Sequence, residues 1–62
     1  MLTVKRKAEP GERVLITDPQ TLIKERKGEV YTVLRRQDED VVTLKELGFS
    51  VFDDEYEVII EG

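Results

Sequence analysis

The chain contains no cysteine, no histidine and no tryptophan. The absence of cysteine excludes disulfide bonds and thiolate metal sites, since both depend on that side chain. The absence of histidine excludes an imidazole general base and any Ser-His catalytic arrangement. No apolar run approaches the roughly 20 residues that an α-helix needs to span a bilayer. These absences remove the usual signatures of hydrolases, zinc proteins and helical membrane proteins.

What remains is a short chain of 62 residues, of which 39% are apolar and another 39% are charged. A domain of about 60 residues buries only about 60% of the surface that its unfolded chain exposes. We therefore expect one domain spanning residues 1–62, with most of its Val, Leu and Ile side chains in the core. That length leaves no room for a catalytic cleft between two lobes, so we expect a binding protein and not an enzyme.

Alternation of apolar and polar residues predicts β-strands along most of the chain. The strong signals fall at residues 12–18, 29–36, 41–46 and 56–60. Four polar residues, 37–40, join the second and third of these as a hairpin. Short strands are also predicted at Leu2–Val4, an edge that could pair with a second copy, and near residue 50. Asp53–Glu55 predicts a single helical turn between the last two strands.

The apolar positions of these strands predict the core. We expect it to contain Val4, Val14, Ile16, Val30, Val33, Val42, Leu44, Phe52, Val58 and Ile60. Between the first two strong strands lies a charged segment, residues 18–28. Its helix formers, residues 21–27, are too few for a stable isolated helix. We expect a long, mobile loop with at most one helical turn, which ends at Gly28, where glycine permits either a special backbone conformation or a close backbone approach.

Three segments resemble those of SH3-like barrels of the KOW type. Pro10–Ile16 resembles their PGDxVxV opening, Lys27–Val33 their KGxVxxV, and Asp53–Ile59 their short turn followed by a last strand. The resemblance implies an all-β fold: a single small SH3-like barrel of about five antiparallel strands. Such barrels occur as stand-alone bacterial or bacteriophage proteins of uncharacterised function. Many KOW-type members bind RNA or ribosomal and transcription partners.

Charge is divided unevenly along the chain. Residues 1–36 hold nine Lys and Arg against five Asp and Glu, whereas residues 37–62 hold one Lys against nine acidic residues. A basic patch attracts phosphates without sequence preference. The candidates for phosphate or nucleic-acid contact are Lys24, Arg26, Lys27, Arg35 and Arg36, with Tyr31 to stack on a base. The alternative is a solvated surface, because glutamates separate several of these residues and the whole chain carries a net charge of −4.

Two acidic turns, Asp38–Asp40 and Asp53–Glu55, are the other charged feature. Aspartate is favoured in turns and at helix starts, and the spacing does not match a calcium-binding loop. We therefore expect no metal and no cofactor. An acidic surface of this kind also suits a basic partner, or imitates the charge of a nucleic acid.

Two apolar residues are candidates for a protein interface. Leu22 lies in the charged loop, and Phe49 lies between Gly48 and Ser50, where a loop tip would expose it. A groove for Pro-rich peptides is not expected, because such grooves use tryptophan. The sequence predicts a cytoplasmic, non-catalytic module or accessory subunit that binds another protein. The alternative hypothesis is weak, non-specific nucleic-acid binding through the basic half.

Overall fold

Residues 1–20 and 23–62 are described by the computed structural model, and within them the chain is all-β without an α-helix. The strands are β1 Leu2–Val4, β2 Arg13–Ile16, β3 Val30–Asp38, β4 Val41–Leu44, β5 Ser50–Phe52 and β6 Tyr56–Glu61. A 3₁₀ helix at Asp53–Glu55 joins β5 to β6, which confirms the helical turn predicted there. No helix in these residues is long and apolar enough to cross a membrane.

The strands form one antiparallel sheet in the order β1-β6-β2-β3-β4-β5. Six strands are present where about five were predicted, and the sheet is not closed into a barrel. Closure requires a ladder between the two edge strands. Here the edges, β1 and β5, are strands of three residues each, and within the described residues each pairs on one side only.

The nine-residue strand β3 belongs to both halves of the sheet. Its first residues pair with β2 and its later residues pair with β4. Register shifts between Val33 and Arg35 and between Arg36 and Asp38 interrupt the second ladder. Irregularities of this kind bend a strand and increase its twist. The two halves therefore share one core, in which Val14 and Val58 lie with Val42 and Val51.

The core confirms six of the predicted positions in full. Val14, Ile16, Val33, Val42, Leu44 and Val58 are buried. Val4 is partly buried and packs against them.

The predicted core was wrong at Val30, Phe52 and Ile60, all of which are exposed. Successive side chains of a strand point to opposite faces, so Val30 and Phe52 point outward where their neighbours Tyr31 and Val51 point inward. Ile60 lies near the outer end of β6, next to the register shift with β1. The remaining core positions are taken by Ala8, Ile23, Tyr31, Val51 and Tyr56.

The predicted charged loop runs between β2 and β3, and its described residues are tied to the core. The side chain of Ile23 is buried. Glu55 is 4% exposed, and its Oε1 accepts a hydrogen bond from the Gln20 amide at 2.8 Å. Gly28 returns the chain to the sheet with φ of +88°, and its amide donates to the Ile16 carbonyl at 2.8 Å. This confirms the special backbone conformation predicted at Gly28.

Candidate functional site

Arg36, one of the predicted phosphate-binding residues, is held in an internal network. Its guanidinium forms a fork with Asp53, with Nη1–Oδ2 and Nη2–Oδ1 distances of 3.0 Å. Nη2 also donates to the Ala8 carbonyl at 2.9 Å. The Tyr56 hydroxyl donates to Asp53 and accepts from the Ala8 amide. Because its donors already serve these acceptors, Arg36 connects three distant chain segments and is poorly placed to bind a phosphate.

The same network shifts the pKa of each ionisable group in it. Burial raises the pKa of Tyr56, and the hydrogen bond to Asp53 adds to this, so that it reaches about 12. Burial opposes ionisation of Asp53 too, but hydrogen bonds from Arg36 and Tyr56 outweigh it and lower the pKa of that carboxyl. The hydrogen bonds to Asp53 raise the pKa of Arg36. The network therefore favours a charged Arg36–Asp53 pair beside a neutral tyrosine.

The basic residues near the amino end are also engaged within the molecule. Lys7 Nζ donates to the Glu39 carbonyl at 2.6 Å and to Asp40 Oδ1 at 3.2 Å. Arg6 forms a fork with Glu12, at 2.9 Å and 2.7 Å. Hydrogen bonds from Arg6 and from the Glu9 amide lower the pKa of Glu12 to about 2. Arg6 is therefore paired with the turn before β2, and Lys7 with the turn between β3 and β4.

The basic loop contains Lys24, Arg26 and Lys27, and all three side chains are exposed. Arg26 Nη1 lies 3.3 Å from the Tyr31 hydroxyl and 3.4 Å from Glu29 Oε1. The Tyr31 hydroxyl in turn donates to Glu29. Tyr31 is only 6% exposed because its ring belongs to the core, so it offers no free face on which a base could stack. Burial, and then the hydrogen bond to Glu29, raise its pKa.

The predicted phosphate-binding residues do not form one patch. The basic loop leads into the start of β3, whereas Arg35 lies five positions further along that strand, about 16 Å away at about 3.3 Å per residue. Arg35 lies opposite Thr43 and is exposed, while Arg36 lies opposite Val42 and reaches into the network. The structure therefore places Arg35 and Arg36 in different surroundings, and it places both of them away from the basic loop.

The two acidic turns, in contrast, are brought together. The Asp53 amide donates to the Asp40 carbonyl at 2.9 Å, and Lys7 Nζ lies within 4.0 Å of carboxylates of both residues. We call this region the acidic corner; it consists of Asp38, Glu39, Asp40, Asp53 and Asp54. Across residues 1–20 and 23–62, no group of three acidic side chains is arranged to hold a metal ion.

An exposed aromatic side chain lies beside the acidic corner. Phe52 is 56% exposed and lies directly opposite Val41 in the β4–β5 ladder; Val41 lies opposite Asp38 in the β3–β4 ladder. The neighbouring row contains Arg35, Thr43 and Ser50. Thr43 is only 4% exposed, and its Oγ1 lies 3.0 Å from Ser50 Oγ. We call the surface made by these two rows the outer face.

The backbone around Phe52 is fixed by the buried Glu55. Glu55 Oε2 accepts a hydrogen bond from the Phe52 amide at 2.7 Å, while its backbone carbonyl accepts from the amides of Thr17 and Asp18. The Phe52 amide is therefore satisfied and cannot pair with an added strand. What Phe52 presents at the sheet edge is its side chain, on a backbone that Glu55 of the 3₁₀ helix holds in place.

The predicted interface residues are placed elsewhere. Phe49 is partly buried against the core, and its carbonyl accepts from the Leu44 amide at 3.0 Å. Leu22 lies outside the described residues. Of the four aromatic residues, all of which are described, only Phe52 is exposed. Sequence reasoning missed it because it assigned Phe52 to the core; the alternation with Val51 was the available signal.

Comparisons of the chain with protein-family models, with curated proteins and with solved structures found no match. The outer face and the acidic corner are therefore interpreted from their own geometry and chemistry.

Proposed function

We propose that this chain is a small, non-catalytic binding module of the SH3-like type, which joins another protein through the outer face around Phe52. The element order supports the SH3-like assignment. The three segments that resemble the family lie at the entry to β2, at the entry to β3, and over the 3₁₀ helix and β6. β6 returns to pair with β2, so the first and last of these segments lie side by side. A module or accessory subunit of this size acts by presenting a surface.

The observation that carries the proposal is the exposure of the Phe52 side chain on a backbone held by Glu55. Burial of a phenylalanine side chain is worth about 1.5–3 kcal/mol, so its exposure forgoes stability that the fold could otherwise have. Aromatic residues are enriched in protein interfaces, where they fill pockets of the partner. Val41 beside Phe52 extends the apolar contact area. The pair suits a small protein interface.

The alternative, nucleic-acid binding, has less support. Arg26, Arg36 and Tyr31 already make internal hydrogen bonds, and Arg35 stands far from the basic loop. Binding to phosphates through counterion release needs several free cations on one surface. Lys24 and Lys27 alone make a weak phosphate site.

The proposal is tested with the variant Phe52→Ser and the matched control Ile60→Ser. Ile60 is 53% exposed, close to the 56% of Phe52, but lies on β6 away from the outer face. Affinity capture from the source cells, quantified by mass spectrometry, should retain the same protein with the wild type and with Ile60→Ser. Phe52→Ser should lose it while keeping its far-UV circular dichroism spectrum.

Two outcomes would overturn the proposed function. One is retention of the captured protein by Phe52→Ser at the wild-type level. The other is a set of salt-sensitive amide shifts at Lys24–Gly28 and Arg35–Arg36 on addition of single-stranded DNA or RNA. Such shifts would support nucleic-acid binding as the function instead.

A further inference from the structure

The chemistry around Phe52 indicates what kind of protein surface fits it. In its row on the outer face, Val41 separates Phe52 from Asp38, and along the chain Asp53 and Asp54 follow it directly. Asp38 thus lies two strands across from Phe52, and the exposed Asp54 lies two residues after it in the chain. An apolar group that covers Phe52 must come close to these charges.

Several of these carboxylates are not neutralised by the protein itself. The acidic corner has five carboxylates against three cations, which leaves an excess of two negative charges. The cations are Lys7, Arg36 and Lys5, and Lys5 Nζ donates to the Asp54 backbone carbonyl at 3.1 Å. Arg36 binds Asp53, and Lys7 binds Asp40. Among the contacts of the described residues, the side chains of Glu39 and Asp54 accept no hydrogen bond, and Asp38 accepts one only from the neighbouring Glu39 amide.

Charge also argues against a second copy as the occupant. A two-fold symmetric interface brings the same surface of both copies together. With the two-fold axis at Phe52, this would bring the two acidic corners close together, which is repulsive. Contact with the basic loop of another copy would be head-to-tail, and such contacts build rings or open filaments instead of closed pairs.

We infer that the partner is a protein segment that carries an apolar side chain between lysines or arginines. This rests on the proposed function and adds the chemistry of the partner. The apolar side chain covers Phe52 and Val41, and the cations pair with Asp38, Glu39 and Asp54. Complementary charge of this kind sets orientation and partner choice more than it adds affinity.

The experiment is a ¹⁵N-NMR titration of the full chain with three capped peptides. The first is Lys-Leu-Lys-Leu-Lys, the second replaces every lysine by glutamate, and the third replaces every leucine by serine. Only the first should shift the amides of Val41, Phe52 and Asp54 to saturation. Its affinity should fall at about 0.5 M salt, where the Debye length is about 4 Å.

A pair of double variants isolates the role of charge. Glu39→Gln with Asp54→Asn removes two carboxylates of the acidic corner; Glu25→Gln with Glu61→Gln removes two exposed carboxylates elsewhere. The first double variant should weaken binding of the Lys-Leu peptide by about three- to tenfold, and the second by much less. The two double variants have the same net charge as each other. A general charge effect would therefore weaken peptide binding equally in both.

The outcomes separate this inference from the proposed function. Equal binding of the lysine and glutamate peptides, or equal affinities of the two double variants, overturns the basic partner. If Phe52→Ser still loses the captured protein, the proposed function stands even though a basic partner is excluded. Shifts of the Phe52 amide with protein concentration alone, in the absence of peptide, would instead identify a second copy and overturn the inference.

Discussion

At the scale of single residues, Tyr56 shows how a polar group is used inside a small core. Its ring is fully buried, yet its hydroxyl accepts from the Ala8 amide at 3.0 Å and donates to Asp53. Removal of one partner from a buried hydrogen bond costs the desolvation of the group left behind. The hydroxyl is therefore part of what holds the chain before β2 against the 3₁₀ helix.

Tyr56→Phe should lower the free energy of unfolding by about 1–3 kcal/mol, because the buried Ala8 amide loses its partner and Asp53 Oδ1 loses one of its two donors. Urea denaturation measures the loss. Tyr31→Phe is the control: among the described residues, its hydroxyl bonds to Arg26 and Glu29, both exposed, and water can replace it there. Equal losses in the two variants would contradict a structural role for the Tyr56 hydroxyl.

The candidate site could be predicted only in part, and the reason lies in individual residues. The sequence shows that Arg36 is basic and that Tyr31 is aromatic, but it does not show that each has an internal hydrogen-bond partner. Phe52 was assigned to the core because large apolar residues are few. Its exposure follows from the alternation of a three-residue strand, a pattern too short to fix which face is inward.

At the scale of elements, the turn before β3 depends on a backbone conformation that side chains disfavour. Gly28 has φ of +88°, and a Cβ added there would meet no atom within 4 Å. A substitution at this position therefore tests the backbone alone.

Gly28→Ala should destabilise the fold by about 1 kcal/mol or more, through the left-handed conformation. Gly28→Asn should cost less, because asparagine enters that region more readily. Thermal unfolding of both variants provides the measurement. A midpoint for Gly28→Ala that equals the wild type would show that the loop avoids the strain by changing its conformation.

The elements themselves were largely predictable. The hairpin of β3 and β4, the 3₁₀ turn and the last strand follow from alternation and turn chemistry, both of which are local properties. The openness of the sheet was not predictable in this way, since it depends on whether β1 meets β5. These strands lie far apart in the sequence, and no local pattern encodes their separation.

At the scale of the whole molecule, stability depends on carboxylates with lowered pKa values. The pKa of Glu12 is lowered to about 2, and that of Asp53 is also lowered. A group whose pKa is lower in the folded state stabilises the fold above its unfolded-state pKa, near 4, and this contribution is lost as pH falls through the folded-state value.

The urea midpoint should therefore fall as pH is lowered from about 5 to about 2. Glu12→Gln should reduce the slope of this dependence, since its carboxylate no longer titrates. Glu25→Gln, which removes an exposed carboxylate in the loop, serves as the control. An unchanged slope in Glu12→Gln would show that the Arg6–Glu12 fork does not couple folding to pH.

The position of β6 also determines when the fold can form. β6 follows the other five described strands in sequence, yet it lies between β1 and β2 and is the neighbour that joins them. During synthesis, β1 precedes these strands and has no strand partner among them until residues 56–61 are available. Strands β2 to β5 are neighbours in both sequence and sheet, so they can pair as they are made. Completion of the sheet is therefore a late event, because β6 supplies two of its five ladders.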